Sequence, residues 1–235
     1  MACLAFAGCA PHSRSDRPVA PLAIGTSREN RSLIASTLGE GPLRVYVVGG
    51  IHGDETEGLR AVPALRASMA QGSWSARATV RVLEDMNPDG TARATRANAA
   101  RVDLNRAWPA TNATGRVDPQ PESEAALADI TRFGPAIVVV LHSSGSGPFV
   151  NFDGPADRWA EMFAKGANAE LVRCGRAGRW RVRAHMGYPT PGSMGSYWGK
   201  DLGIPILTVE FARGCSEAEA VPALLGGVRA LIGAE

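Results

Sequence analysis

Five short apolar runs rich in β-branched residues constrain the fold of this chain most, because several of them do not alternate with polar residues. Strands that are buried on both faces have this pattern, since neither face can carry polar side chains. We therefore predict a mostly parallel sheet that is covered on both sides. The runs are LIAST, LRVYVVGG, TVRVLEDM, AIVVVLH and IPILTVEF.

Helical patterns lie between these runs. Leu59, Val62, Leu65 and Met69 are spaced as on one face of a helix. The segment PESEAALADITRF opens with a proline and two acids, as helices often do, and SEAEAVPALLGGVRALIGAE has the pattern of a closing amphipathic helix. Alternating strands and helices predict the α/β class, here a single-domain α/β/α sandwich with a mostly parallel, mixed and twisted sheet. A chain of 235 residues suits one such domain.

The N-terminus differs from the rest of the chain. In MACLAFAGCAPHSRSDRP a short apolar run gives way to a polar, proline-containing stretch, which resembles the leader of a bacterial lipoprotein with Cys9 as the lipidated residue. We predict a leader and flexible arm over residues 1–25 and the folded domain over residues 26–235. The protein would then be periplasmic or tethered to a membrane through Cys9. The alternatives are a frayed apolar N-terminus and a cytoplasmic protein.

Charge and cysteine content narrow the function classes only a little. The formal net charge of +2 is small, so nothing in the composition requires nucleic acid or an anionic membrane as a partner. We also infer no obligatory protein partner. Four cysteines are too few and too scattered for a disulfide scaffold or a cysteine-based zinc site. Cys174 and Cys215 could pair in an oxidising compartment or stay free.

Four acid or imidazole side chains follow strand-like runs. His52 and Glu55 follow VYVVGG, His142 follows AIVVVL, and Glu210 follows ILTV. Functional groups collect at the carboxyl ends of strands in such sheets, so we expect these four side chains to meet. Two imidazoles, one carboxylate and an open position form a ligand set of catalytic zinc sites, which leaves Glu210 to accept a proton. Each of these residues alone would also fit a structural role.

Two irregular segments have more than one interpretation. NPDG is a strong turn signal, and its Asn87 and Asp89 could either shape the loop or orient a histidine ligand. GYPTPGSMGSYWG could be a rigid loop or a pocket wall, with Tyr188 and Tyr197 as the candidate pocket tyrosines. Arg93 and other arginines of the preceding segment could simply form a solvated basic loop.

The motifs HGDE, NPDG, TRANAARVDLNRAWP, LHSSGSG, GYPTPGSMGSYWG and TVEFARG occur in an order that resembles the zinc carboxypeptidase family. The similarity runs from about Val45 to Gly214 and is strongest to the bacterial murein peptide amidase branch. It implies one zinc ion per chain and Glu210 as general base and later proton donor. It also assigns Arg96 to the scissile carbonyl. The implied zinc ligands are His52, Glu55 and His142, and the implied carboxylate-binding pair is Asn105 and Arg106.

This resemblance implies hydrolysis of a small murein peptide at the bond between γ-linked D-glutamate and diaminopimelate. An N-acyl amino acid deacylase similar to aspartoacylase or succinylglutamate desuccinylase is the first alternative, and a general metallocarboxypeptidase is the second. A wall-peptide binding protein without turnover is the non-enzymatic alternative. The chain departs from the amidase branch at Ala107, where the branch more often has Asn. At Trp108, where the branch more often has an aromatic residue, the departure is conservative.

Overall fold

The computed structural model describes residues 19–69 and 73–233, and over these residues the chain forms one eight-stranded sheet. The strand order is β1-β2-β4-β3-β5-β8-β6-β7. The four central strands β4, β3, β5 and β8 are mutually parallel, whereas β1, β2 and β6 pair antiparallel with a neighbour. The strands are β1 Val19–Thr26, β2 Ser32–Leu38, β3 Leu43–Val48, β4 Ala78–Leu83, β5 Ile137–Ser144, β6 Phe149–Asp153, β7 Val182–Arg183 and β8 Ile206–Ala212.

Helices cover both faces of this sheet, which confirms the predicted α/β/α sandwich. One face packs against three helices: α1 Thr56–Met69, α4 Asp157–Arg173 and α5 Glu217–Leu231. The other face packs against α3, which spans Pro121–Phe133, and against loops and short helical turns that contribute Leu104, Trp108, Met194 and Trp198. A short helix, α2 Pro88–Arg93, lies in the NPDG segment.

All five predicted strand runs form strands, and the three predicted helices form α1, α3 and α5. The sequence did not predict α4, which packs on α5 at a point where two backbones nearly touch. A Cβ atom at Gly166 would lie 2.3 Å from the carbonyl oxygen of Gly226, and the converse distance is also 2.3 Å. Only glycine fits at this crossing, so tertiary packing determines the residue type at both positions.

The N-terminal prediction overlaps the structure only in part. Strand β1 begins at Val19 and pairs with β2, so residues 19–25 of the predicted arm belong to the sheet. The leader and its Cys9 lie outside the described residues. Within the described ranges, no helix combines the length and the apolar character that a membrane span needs.

Candidate active site and metal centre

Three buried side chains converge at the carboxyl edge of the central strands. His52 lies in the turn that follows β3, Glu55 directly precedes α1, and His142 lies near the end of β5. Glu55 places Oε1 3.0 Å from His52 Nδ1 and Oε2 2.9 Å from His142 Nδ1, and the two Nδ1 atoms are 3.1 Å apart. One ligand atom from each residue lies within 4.8 Å of the others. This set of nitrogen and oxygen donors could hold a metal ion.

Close backbone packing forms the turn that carries His52. Gly50 has a φ of 62°, and a Cβ there would lie 2.3 Å from an oxygen of Asp85. A Cβ at Gly53 would lie 2.0 Å from the backbone of Gly90 in the NPDG segment. The HGDE and NPDG loops therefore hold each other in place by contacts that only glycine allows.

The NPDG residues shape the loop and do not orient a histidine. Asn87 caps α2 by accepting from the backbone of Gly90, and its Nδ2 donates to the carbonyl of Arg96 at 3.2 Å. Asp89 accepts hydrogen bonds from Ser27 and Arg31 instead of from an imidazole. Of the two open interpretations, the structure supports the loop-shaping one.

Asp103, which was not among the predicted site residues, orients His52. Its Oδ1 lies 3.0 Å from His52 Nε2, and its Oδ2 accepts from Arg96 Nε at 3.0 Å. Burial alone would raise the pKa of Asp103, but His52 and Arg96 hold that pKa well below its usual range. With Nε2 engaged by a carboxylate, Nδ1 of His52 faces Glu55 and His142 as the free ligand atom. In the sequence, the one indication that Asp103 belongs to the site was its position two residues before Asn105.

Glu55 is held as a carboxylate. Burial opposes ionisation, but His142 and His52 together hold the pKa of Glu55 well below its ordinary value. Arg96 Nη1 donates to Oε1 at 2.9 Å, and the backbone N–H of Ser143 donates to Oε2 at 3.0 Å. The group is therefore an anion aimed at the two imidazoles.

A second acid supports this arrangement from behind. Glu57 is buried and accepts from Ser143 Oγ at 2.6 Å and from the backbone N–H of Gly214 at 2.7 Å. It thereby ties the start of α1 to the ends of β5 and β8. No sequence motif identifies Glu57, because its role depends on contacts with residues far away in the chain.

Glu210 lies beside His142, since the two residues are register partners on β8 and β5. The side chain is buried, and its Oε2 has no hydrogen-bond partner among the described residues. Burial raises the pKa of Glu210, although the neighbouring histidines oppose the shift. A buried carboxylate oxygen without a partner is costly unless a ligand or water satisfies it. This oxygen is suited to take up a proton.

One pocket of about 280 Å³ brings together every predicted site residue. Arg106 donates to the backbone carbonyl of Asn105 at 2.7 Å and makes no ion pair with another described residue, so its guanidinium is available to an anion. Arg96 keeps 45 % of its side chain exposed. The predicted residues that line this pocket are His52, Glu55, Arg96, Asn105, Arg106, His142 and Glu210.

The two candidate tyrosines have different places. Tyr188 lines the pocket and is 57 % exposed, whereas Tyr197 stacks on Trp108 with ring centroids 6.1 Å apart. Tyr188 is therefore the pocket tyrosine, and Tyr197 belongs to the packing beneath it. Cys174 and Cys215 are both free thiols, so the open question of their pairing is answered in the negative.

Residues 42–214 match the succinylglutamate desuccinylase/aspartoacylase catalytic domain. The chain belongs to this family. Among curated proteins, it is 31 % identical to murein peptide amidase A of Escherichia coli strain K12, over 80 % of this chain and 81 % of the relative. It is 30 % identical to murein peptide amidase A of Vibrio campbellii, over 71 % of this chain and 68 % of the relative.

Solved structures agree with this assignment. The murein-tripeptide amidase of Escherichia coli O157 superposes with a TM-score of 0.67 at 26 % identity, over 90 % of this chain and 91 % of that one. Thrombin-activatable fibrinolysis inhibitor has a TM-score of 0.73 at 18 % identity, over 93 % of this chain and 69 % of that one, which shows a shared fold. The predicted zinc carboxypeptidase-like fold is confirmed, and the protein is a hydrolase of the metallocarboxypeptidase and amidase class.

Proposed function

We propose that this hydrolase is a zinc-dependent amidase that cleaves the bond between γ-linked D-glutamate and diaminopimelate in small murein peptides. One observation carries the proposal: the buried His52, Glu55 and His142 cluster shares its pocket with the unpartnered carboxylate oxygen of Glu210. The similarity to murein peptide amidases supports this choice of substrate.

His52, Glu55 and His142 would hold the zinc ion. Their donor set, two imidazole nitrogens and one carboxylate around an open pocket, is the type that catalytic zinc prefers. Asp103 engages the outer nitrogen of His52, which is the support that a histidine ligand usually has. A zinc ion held by these residues would supply a Lewis acid that makes water nucleophilic near neutral pH.

Glu210 would move the proton. Its free oxygen accepts a proton from the attacking water and returns it to the departing amine nitrogen, so one group acts as base and then as acid. Burial raises the pKa of Glu210 above its ordinary value, which favours the protonated form that the second step needs. A buried carboxyl in contact with the reacting atoms suits both steps.

The arginines would handle negative charge. Arg96 stands beside Glu55 at 2.9 Å and can donate to the carbonyl oxygen as negative charge grows there. Arg106, which has no described acidic partner, can hold the free carboxylate of the departing residue by two parallel hydrogen bonds. Asn105 accepts from the backbone N–H of Met194 at 2.9 Å, which holds it at the pocket wall as the second group of the carboxylate site.

An N-acyl amino acid deacylase is the second candidate, because the matched family is named after such enzymes. The two candidates share the metal ligands and Glu210 and differ in the substrate that fills the pocket. Substrate tests therefore separate them.

The first experiment measures the zinc content of the purified protein and its activity on three substrate types. These are L-Ala-γ-D-Glu-meso-diaminopimelate, the pair N-acetyl-aspartate and N-succinyl-glutamate, and an ordinary C-terminal dipeptide. We expect one zinc ion per chain and release of diaminopimelate that stops on chelation. Cleavage confined to the acylated amino acids would replace the amidase proposal with the deacylase, and cleavage confined to the dipeptide would replace it with a carboxypeptidase.

We also propose that the protein is exported and lipidated at Cys9. The basis is the leader-like N-terminal sequence alone. Mass spectrometry of the membrane fraction from expressing bacteria would detect a diacylglyceryl group on Cys9. A chain that keeps residues 1–8 and stays in the cytoplasm would contradict this proposal.

A further inference from the structure

The pocket extends from Glu210 along the sheet over a row of polar side chains. Glu210 pairs with Phe149, and Thr208 pairs with Asn151, where β8 and β6 run antiparallel. Because residues two apart on a strand face the same side, Asn151 and Asp153 lie on the same face as Glu210. Thr208, Asn151 and Asp153 all line the pocket. They form a polar floor that begins at the proposed proton acceptor and ends at a carboxylate.

Asp153 is an acid for which the proposed mechanism has no use. Glu55, Glu210 and Asp153 are the acids that line this pocket, and the first two have roles as ligand and base. The Asp153 side chain is 15 % exposed, and its Oδ1 lies 3.2 Å from Lys200 Nζ. A carboxylate offers about four acceptor positions, so this single contact leaves room for another donor.

The surrounding backbone is shaped around this carboxylate. Gly195 and Gly199 belong to a π-helical turn over Gly195–Asp201. A Cβ at Gly195 would lie 2.1 Å from Asp153 Oδ2, and a Cβ at Gly199 would lie 2.5 Å from Asp153 Cβ. The turn can therefore pack directly on Asp153 only because these two residues are glycines. Side chains at these positions would displace the carboxylate from the pocket floor.

The distance along the sheet from Glu210 to Asp153 matches the length of a diamino acid. Asp153 is four residues along β6 from Phe149, the register partner of Glu210, which corresponds to about 13 Å. The side chain of lysine or diaminopimelate extends roughly 6 Å from its α-carbon to its distal nitrogen. Hydrogen bonds of about 3 Å at each end, together with the reach of the two acidic side chains, span the remainder.

We infer that Asp153 accepts a hydrogen bond from the distal ammonium group of the departing residue and thereby selects a diamino acid as the leaving group. This inference rests on the proposed amidase function and narrows it to leaving residues with a cationic side chain. An acidic leaving residue, as in the deacylase alternative, would bring a second anion toward the one on the pocket floor. Asp153 is thus a specificity-determining residue that acts on the side chain of the substrate.

The test uses two matched tripeptides. One is L-Ala-γ-D-Glu-meso-diaminopimelate, and the other carries 2-aminopimelate, which keeps the chain length and the distal carboxylate but lacks the distal amine. We expect the zinc-loaded wild-type protein to prefer the first by about 10- to 100-fold in kcat/KM, as is typical for one hydrogen bond to a charged group. Asp153→Asn should lower kcat/KM much more for the diaminopimelate peptide than for the 2-aminopimelate peptide, so that the preference disappears.

Two further variants serve as controls. Asp157→Asn makes the same chemical change four residues away, at the exposed start of α4 and outside the pocket, and should keep the preference. Lys200→Gln removes the ion-pair partner but leaves the Asp153 carboxylate, so it should also keep the preference. The circular dichroism spectrum and the zinc content of Asp153→Asn, compared with those of the wild type, show that this variant is folded.

The outcomes separate the inference from the function on which it rests. Cleavage of both tripeptides with the same preference in wild type and in Asp153→Asn would overturn the role of Asp153 and leave the amidase function intact. Loss of the preference in Lys200→Gln as well would show that the ion pair acts by shaping the pocket. This result would also overturn the proposed role of Asp153. Turnover of N-acetyl-aspartate with neither tripeptide cleaved would overturn the proposed function and this inference together.

Discussion

Two buried clusters of charged and polar groups lie on the same sheet, and they differ in how completely their hydrogen bonds are satisfied. In the Asp129 cluster, defined by Tyr46, Arg81 and Asp129, the carboxylate receives Arg81 through two hydrogen bonds of 2.6 and 2.8 Å. Tyr46 adds a third at 2.7 Å. Each charged group has its partner within the chain, so the cluster needs nothing else.

The active-site cluster, defined by His52, Glu55, His142 and Glu210, is incomplete by the same measure. Two Nδ1 atoms and one carboxylate crowd together within 4.8 Å, and one oxygen of Glu210 has no described partner. The difference teaches that a buried ionic cluster serves structure when it is satisfied internally and serves a ligand when acceptors are left over.

Replacing Glu210 with Gln should have the largest effect on activity. We expect kcat/KM to fall by about 10²- to 10⁴-fold, since the amide cannot accept the proton. The free energy of unfolding should not fall, because Oε2 makes no hydrogen bond that would be lost. Steady-state kinetics and urea denaturation would measure the two quantities. Turnover at the wild-type rate would remove Glu210 from the mechanism.

Replacing Asp129 with Ala should have the opposite profile. We expect the free energy of unfolding to fall by about 3–5 kcal/mol, because Arg81 would stay buried without its anion. The kcat/KM of the folded fraction should not change. Asp129→Asn, which keeps the shape and some acceptor capacity, is the matched control and should lose less. A drop in kcat/KM in the folded Asp129 variant would mean that the two clusters are coupled.

Metal binding should stabilise the folded protein, and it should do so through the active-site cluster alone. Zinc at 100 times its dissociation constant should raise the free energy of unfolding by about 2.7 kcal/mol. His142→Ala should abolish this increment, whereas Asp129→Ala should keep it. Thermal or urea unfolding with zinc and with a chelator would measure the increment in each variant. An increment that survives in His142→Ala would place the metal elsewhere.

Tyr46→Phe should have the smallest effect, a loss of roughly 1.5 kcal/mol for one hydrogen bond to a charged group. The loss should also depend on pH. Burial, and next the charge of Asp129, raise the pKa of Tyr46 well above its ordinary value of 10.0. This contribution to stability is therefore fully present below pH 10 and is lost as the pH rises toward the folded-state pKa.

Urea denaturation at pH 8, 9.5 and 10.5 would show this dependence. Above pH 10 the wild type should lose stability more steeply than Tyr46→Phe, because the Tyr46 phenol ionises in the unfolded chain while it stays protonated in the folded protein. Parallel curves for the two proteins would contradict the raised pKa of Tyr46.

The elements that the sequence predicted are those with a strong local pattern. Strands β2, β3, β4, β5 and β8 are short runs dominated by apolar and β-branched residues, and α1, α3 and α5 show clear helical spacing. Helix α4 was not predicted because much of its buried face is alanine, including Ala160, Ala164 and Ala167, which is a weak hydrophobic signal. Strands β6 and β7 are short and exist through their pairing with neighbouring strands.

The candidate site likewise contains some residues that local sequence patterns predict and others that they do not. The metal-ligand set and Glu210 could be predicted because each residue lies in or shortly after the last part of a strand-like run, and parallel strands bring such residues to one edge. Asp103, Glu57 and Asp153 could not, since each contacts residues that are distant in the chain, among them His52, Ser143 and Lys200. The catalytic and binding roles of the seven predicted residues remain the proposal that the experiments above address.

By itself, the sequence determined the α/β class, the edge of the sheet where chemistry collects and the residue types available there, because these follow from local periodicity and strand order. Only the tertiary structure decided which acid orients His52, which tyrosine lines the pocket and which carboxylate forms its floor. Those choices depend on distances of about 3 Å between residues that are far apart in the chain. No local pattern encodes such distances, since they arise only when the sheet and its loops pack together.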